Sequence, residues 1–468
     1  MRTNAKKGCF IMREELVYKK KTVYECASNE IIEAAYEYAK GYVEYLDASK
    51  TEREAVISAI ALAEKNGFKE YVLGAPIAVG DKFYFNNRGK NLFLFSIGTE
   101  HINNGIRIAA SHIDSPRVDL KPCPLYEADG MSFFKTHYYG GIRKYQWMAL
   151  PLALHGVVIK ADGTKVDIAI GDSADDPIFY INDLLPHLGR ATNAKTVADA
   201  FPAENLNILV GSRPIDGEEG SDLIKLNVLK ILNDKYGITE EDFLSAELCC
   251  VPAANARDIG FDRSLIGAYG HDDKVCAYPS MSAIFENAGG EHTLMCILAD
   301  KEETGSEGST GMKNSLMSDL IDIIANALGG TPSIVRANSK CLSADVSAAY
   351  DPNFSQVFEK RNSALLNCGV ILMKYTGAGG KSGTSDASAE YIGWLRQIMA
   401  KDGVIWQTGE LGKVDVGGGG TVAKFIAEYN IDTVDLGVPV ISMHAPCEVI
   451  SKVDLYETYR AFSAFCKY

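Results

Sequence analysis

With 468 residues and 47 basic against 61 acidic side chains, the chain carries a net charge of −14. It is long enough for about two or three domains, and too acidic to favour a nucleic-acid backbone or an anionic membrane as partner. Small or peptidic partners suit it better. Eleven cysteines form no Cys-x-x-Cys pair, are odd in number and often sit in apolar runs (Cys276, Cys296, Cys341), as free thiols do in a reducing compartment such as the cytoplasm. No apolar run approaches the ~18 residues of a membrane span. The opening MRTNAKKGCFIMREEL has basic residues but no apolar export core, so neither export nor anchoring is expected.

Residues 29–66 show helical periodicity in two blocks, with Ser49 and Thr51 as candidate caps for the second and Gly67 as its stop. The texture then turns to short alternating runs in KFYFNNRGKNLFLFSIG, where Asn87, Arg88 and Gly89 mark a hairpin. GIRIAASHIDSPR predicts another strand that ends on His112, Asp114 and a proline. From 121 to 255 hairpin-like runs around an Asp162-Gly163 turn, a polar loop and the amphipathic helix SDLIKLNVLKILNDKYG read as an inserted β-rich unit.

After residue 256 strands alternate with helices: TLMCILAD, NSLMSDLIDIIANALGG, KCLSADVS, GVILMKY, SAEYIGWLRQIMAK, then GVPVISMH before a final helix. This spacing predicts an α/β fold with a doubly wound, mostly parallel sheet. Residues 1–120 and 256–468 would form one discontinuous catalytic domain around the insert at 121–255.

Within that fold five segments place an acid or histidine at or just after a strand: His112 in AASHIDSPR, Asp272 in GHDDKVCAY, Glu302 and Glu303 in DKEETGS, Asp345 in LSADVS and His444 in ISMHAPCE. Strand ends of a parallel sheet converge on one edge, so distant residues can share a pocket. Taken singly, the histidines read as core residues, the aspartates as helix caps and the glutamate pair as a solvated turn. Buried together, they would leave several charges unpaired unless a cation joined them. Two histidines and three carboxylates suit paired zinc-type ions with one bridging carboxylate, and the spare glutamate becomes a base. On an extended segment Glu302 and Glu303 would point in opposite directions, which allows one to bind metal and the other to reach water.

These segments, with GYVEYLDASKTEREAVISAIALAEKNGF, resemble in order the successive motifs of the aspartyl aminopeptidase family of di-zinc aminopeptidases. The resemblance implies a zinc-peptidase core, an inserted dimerisation or lid domain, a dodecamer built from dimers, and removal of single amino-terminal residues from peptides. It makes His112 and Glu303 ligands of one zinc, Asp345 and His444 ligands of the other, Asp272 the bridge and Glu302 the general base. Cobalt or manganese could replace zinc. Asp114, two residues beyond His112, would accept the imidazole's second N–H. The resemblance further implies a cis peptide between Asp272 and Asp273, and a role for His187, in the insert, over the zinc pair of a neighbouring subunit.

The chain departs from the better-known members between 376 and 420. There Lys381 is the cation that would favour acidic amino-terminal residues, and Gly418 and Gly419, in the run 417–420, offer close backbone approach to a peptide. That run lacks the lysine-serine pair of a phosphate loop. An amidohydrolase or deacylase on the same metal core, and a silent shell or scaffold protein, are the alternative functions.

Overall fold

The computed structural model describes residues 16–468; the expected absence of an export signal falls on 1–15 and lies outside them. Helices Asn29–Asp47 and Glu52–Lys65 form where the periodicity predicts. Thr51 starts the second: its hydroxyl accepts from Glu54 N, and the Glu54 carboxylate accepts from Thr51 N at 2.9 Å.

The core sheet has nine strands: β1 (Lys69–Glu70), β2 (Lys82–Asn87), β3 (Asn91–Ser96), β4 (Ile106–His112), β5 (Thr293–Ala299), β6 (Lys340–Ala344), β7 (Val370–Met373), β8 (Trp406–Thr408) and β9 (Asp432–Gly437). They lie in the order β1-β2-β3-β5-β4-β6-β9-β7-β8. The central four, β5, β4, β6 and β9, are mutually parallel, and antiparallel β3 and β7 flank them. The hairpin between β2 and β3 turns through Arg88 and Gly89, both at positive φ.

β3 shows why the strands read as apolar runs. Leu92 and Leu94 face a core with helices Asn29–Asp47, His271–Asn287 and Lys452–Lys467, whereas Phe93 and Phe95 face a second core with Leu316–Ala327. Both faces are covered, so every second residue cannot be polar.

A second, seven-stranded sheet is antiparallel throughout. Its order is Lys165–Ile170, Leu152–Ile159, Ala246–Pro252, Arg117–Ala128, Met131–Tyr139, Ile208–Gly211 and Tyr180–Ile181, and it has its own core around Trp147 and Phe134. It begins at Arg117, before the expected residue 121. A third sheet of five strands was not anticipated: Arg257–Ile259, Leu265–Ala268, Glu448–Ser451, Pro439–Ile441 and Ser347–Ala348. It splits the run GVPVISMH, expected as one strand. Gly437 ends β9, and Pro439, which has no N–H for a central ladder, opens the next strand in the small sheet. Ten cysteines among the described residues are free.

His155, on the seven-stranded sheet, is buried between Glu54 Oε1 at 2.7 Å and Asp172 Oδ1 at 3.2 Å. Burial alone would lower its pKa, but the two carboxylates raise it to about 9. An unfolded histidine titrates near ~6.5, so the cation's contribution is complete below that pH and disappears as pH rises through about 9. Asp172 is partly exposed, so the contribution is on the order of 1–2 kcal/mol. Urea unfolding at pH 6 and pH 9.5 should show wild-type stability falling by that amount more than His155→Gln. Parallel pH profiles would refute the pairing.

Candidate metal centre

The parallel strand ends deliver the predicted side chains to one edge. His112 ends β4, Asp345 follows β6, and Glu302 and Glu303 follow β5. Gly437, at the end of β9, is bare because a Cβ there would stand 1.7 Å from Asp345 O. Asp272 and His444 come instead from the small sheet, Asp272 at the start of helix His271–Asn287 and His444 in the turn after Pro439–Ile441. The Asp272–Asp273 peptide is cis.

Asp272 stands at the middle. Its Oδ1 is 3.1 Å from His112 Nε2, which is 3.7 Å from Asp345 Oδ1. Its Oδ2 is 3.2 Å from His444 Nε2, which is 3.4 Å from Glu303 Oε1. The two faces of one carboxylate thus sort the others into His112 with Asp345 and His444 with Glu303. The division implied by the resemblance puts Glu303 with His112 and Asp345 with His444, and ligand atoms of His112, Asp272 and Glu303 do lie mutually close.

Glu302 and Glu303 lie in a short 3-10 turn, Glu302–Thr304, rather than an extended segment. Their divergence therefore comes from the ~120° step of that turn, not from strand alternation. Asp114 does more than expected. His112 Nδ1 pairs with the Asp114 main-chain oxygen at 3.0 Å, with the carboxylate at 3.3 Å. That carboxylate accepts the main-chain N–H groups of Glu302 and Glu303, both at 3.2 Å. Glu448, four residues past His444, accepts from His444 N at 2.7 Å and Asp272 N at 3.1 Å, tying both segments together.

Burial, then the neighbouring Asp345 charge, pushes Glu302 up to about 8. Burial and Asp272 hold Glu303 well above the carboxylate range. Burial works against His444, yet Asp272 and Glu303 raise it to about 10. Crowded carboxylates thus compete for too little positive charge. Asp272 Oδ1 and Glu303 Oε1 are buried and accept no hydrogen bond from any described residue. Imidazole nitrogens beside such oxygens suit zinc, which takes nitrogen and oxygen donors and supplies the missing charge.

The cluster opens into a cavity of about 530 Å³, a size that suits part of a peptide. Gly418, Gly419 and Gly420 line its wall, as do Lys313 and Lys424. Lys381 does not. Its ammonium pairs with Asp386 at 3.1 Å and sits 3.8 Å over the Tyr375 ring, so local partners draw it away. His187 is exposed on the turn Pro186–Leu188 of the seven-stranded sheet's unit and does not line the cavity of its own chain. Sequence reasoning gave no role to Glu448, although its place in ISMHAPCE, four residues after a candidate ligand, was the available signal.

A family model described as aminopeptidase I zinc metalloprotease (M18) matches residues 45–466. The chain belongs to the M18 family. It is a zinc-dependent aminopeptidase, in keeping with its resemblance to the aspartyl aminopeptidases, which M18 includes. A probable M18 family aminopeptidase 1 of Clostridium acetobutylicum is 46% identical over 97% of this chain and 99% of its own length. The crystal structure of the Thermotoga maritima M18 aminopeptidase is 42% identical and superposes with a TM-score of 0.92, over 96% of this chain and all of its own. The yeast mApe1 dodecamer, 23% identical with a TM-score of 0.75 over 92% of this chain and 96% of its own, shares the fold. The M18 match favours neither an acyl-amide hydrolase nor an inert shell. Among the described residues no helix is long and apolar enough to cross a membrane.

Proposed function

We propose that this M18 enzyme removes single amino-terminal residues from peptides at a two-zinc centre in which Asp272 is the bridging ligand. The observation that carries the reading is that Asp272 offers each of its oxygens to a different histidine-carboxylate pair. His112 and Asp345 would hold one ion, His444 and Glu303 the other. When bound, zinc polarises the scissile carbonyl and acidifies water at neutral pH.

The chain's own groups do the rest. Glu302 belongs to neither set and faces the same cavity. It takes the proton of the attacking water and returns it to the leaving amine. Asp114 fixes the His112 tautomer and the glutamate turn together. The free amino terminus of the peptide sits at the carboxylate-rich base of the cavity, which limits cleavage to the first bond. Gly418 and Gly419 let the peptide backbone approach the wall closely.

The unit at 121–255 pairs subunits within a dodecamer like that named for the yeast relative, and His187 reaches a neighbour's metal centre to donate to the tetrahedral oxyanion. Its exposure beside exposed Leu184, Leu185 and Leu188 supports a contact there. The free cysteines and acidic charge suit a cytoplasmic enzyme.

Aminoacyl-anilides and acylated amino acids, each assayed with and without chelator, test the reading. Anilide cleavage should vanish with chelator and return with zinc, while acylated substrates stay inert. Chelator-resistant cleavage or a preference for acylated substrates would defeat it. Lys381→Ala should leave the ranking of aspartyl, glutamyl and leucyl anilides unchanged.

A further inference from the structure

The hairpin of Arg117–Ala128 and Met131–Tyr139 in the seven-stranded sheet ends in Tyr139 and runs on into Gly140 and Gly141, and all three meet the metal-side residues of the core. The Tyr139 hydroxyl donates to Asp114 Oδ2 at 2.8 Å, the carboxylate that holds the N–H groups of Glu302 and Glu303. Gly140, at φ 72°, leaves so little room that a Cβ would lie 3.3 Å from Glu303 Oε2 and from Pro116 Cβ. The Gly141 carbonyl pairs with His444 Nδ1 at 2.8 Å. One tripeptide therefore touches both glutamates' turn and the histidine of the same proposed ligand set.

The arm is itself anchored. The Arg117 guanidinium lies 4.3 Å over the Tyr139 ring and is fixed by Glu52 at 2.6 Å and Asp119 at 2.8 Å. A phenol braced on one face by a clamped cation holds its hydroxyl direction well. The glycines permit an approach that side chains would block.

We infer that Tyr139, Gly140 and Gly141 form a positioning arm through which the seven-stranded sheet's unit sets the Glu302–Glu303 turn and the His444 ring. The inference rests on the two-zinc reading above. Tyr139 is a positioning residue: it acts through Asp114, and its hydroxyl governs how firmly the turn is held rather than any bond made to substrate. A shift of that unit, by subunit contact or by substrate entry, is transmitted to the base and to one ligand pair without passing through the core sheet.

The test uses the full-length, zinc-loaded enzyme with Tyr139→Phe, Gly140→Ala and the control Tyr138→Phe, whose side chain is exposed on the same strand. Three readouts are taken: kcat and KM, zinc release to a chelating chromophore, and thermal midpoint. Loss of a partner behind a metal ligand typically costs ~10–100-fold in metal affinity or activity. Tyr139→Phe should lower kcat about tenfold with KM within about twofold, and speed zinc release by a similar factor. Its midpoint, compared in the zinc-free form so that weaker zinc binding does not enter, should lie close to wild type, because ring and cation stay in place. Gly140→Ala should do more on both counts, and it carries the same expectation if the phenylalanine variant misfolds. Tyr138→Phe should change nothing.

Wild-type kcat and zinc release in Tyr139→Phe would overturn the inference, as would losses that merely track a fallen midpoint. Zinc release is independent of turnover. If the wild-type enzyme does not bind two zinc ions, the two-zinc reading fails; if it binds two while Tyr139→Phe is wild type, only the arm fails.

Discussion

Glu302→Gln should bind as much zinc as wild type and turn over ~10²–10⁴-fold more slowly. The amide keeps the size of the carboxylate and loses its capacity to take a proton. Metal retention follows from the grouping of donors: of the two clusters that offer mutually close ligand atoms, one contains Glu303 and neither contains Glu302. Asp114 would still hold the turn through main-chain N–H groups, which the substitution leaves untouched. Zinc stoichiometry together with kcat on a leucyl or aspartyl anilide checks the prediction, and a variant with wild-type kcat ends the assignment. The same variant serves for the neighbouring subunit. Mixed with His187→Ala under conditions of subunit exchange, it should recover partial activity, since some centres would pair an intact Glu302 with an intact His187. Demonstrated exchange without recovery would confine His187 to its own chain.

What the sequence disclosed follows a physical divide between local and non-local causes. Thr51 and Glu54 form a capping box because spacing alone brings hydroxyl and carboxylate to the helix start. The β2–β3 hairpin was legible from Asn87, Arg88 and Gly89 for the same reason. That His112, Asp345 and the glutamate pair would come together was legible because each sits within a few residues of the end of a parallel core strand. Parallel topology then does the gathering.

Other features depend on contacts that no local pattern encodes. The pairing of histidines with carboxylates turns on which oxygen of Asp272 faces which histidine, a matter of how the small sheet packs on the core sheet's edge. The break at Pro439 was written in the sequence, but apolar residues on both sides hid it inside one run. Lys381 was singled out because it stood alone in its loop, whereas its contacts with Asp386 and the Tyr375 ring are made by residues near in sequence. Lys313 and Lys424 reach the cavity from separate segments, where nothing in their neighbours distinguishes them from surface lysines. Tyr139 lies 25 residues from Asp114 in a different sheet's unit, so its contact is visible only in three dimensions.

Asp272→Asn should be the most damaging conservative change in the centre. Asparagine keeps the shape of the side chain and the main-chain N–H that Glu448 accepts. It turns one oxygen into a donor, so it can no longer face both histidine-carboxylate pairs as an acceptor, and it removes the charge that two cations would share. Metal stabilisation of a developing charge is worth several kcal/mol, so losing the pair should cut kcat/KM by ~10³ or more. Affinity should fall with activity, and a 100-fold weaker site forfeits about 2.7 kcal/mol of ligand-induced stability at fixed zinc. The rise in thermal midpoint on adding zinc, taken against each protein's own zinc-free form, should therefore shrink sharply in the variant. That difference is insensitive to whatever the substitution does to the zinc-free protein, where the imidazoles of His112 and His444 also lean on Asp272. An Asp272→Asn enzyme that bound two zinc ions at wild-type affinity would show that the carboxylate does not bridge, whatever its activity.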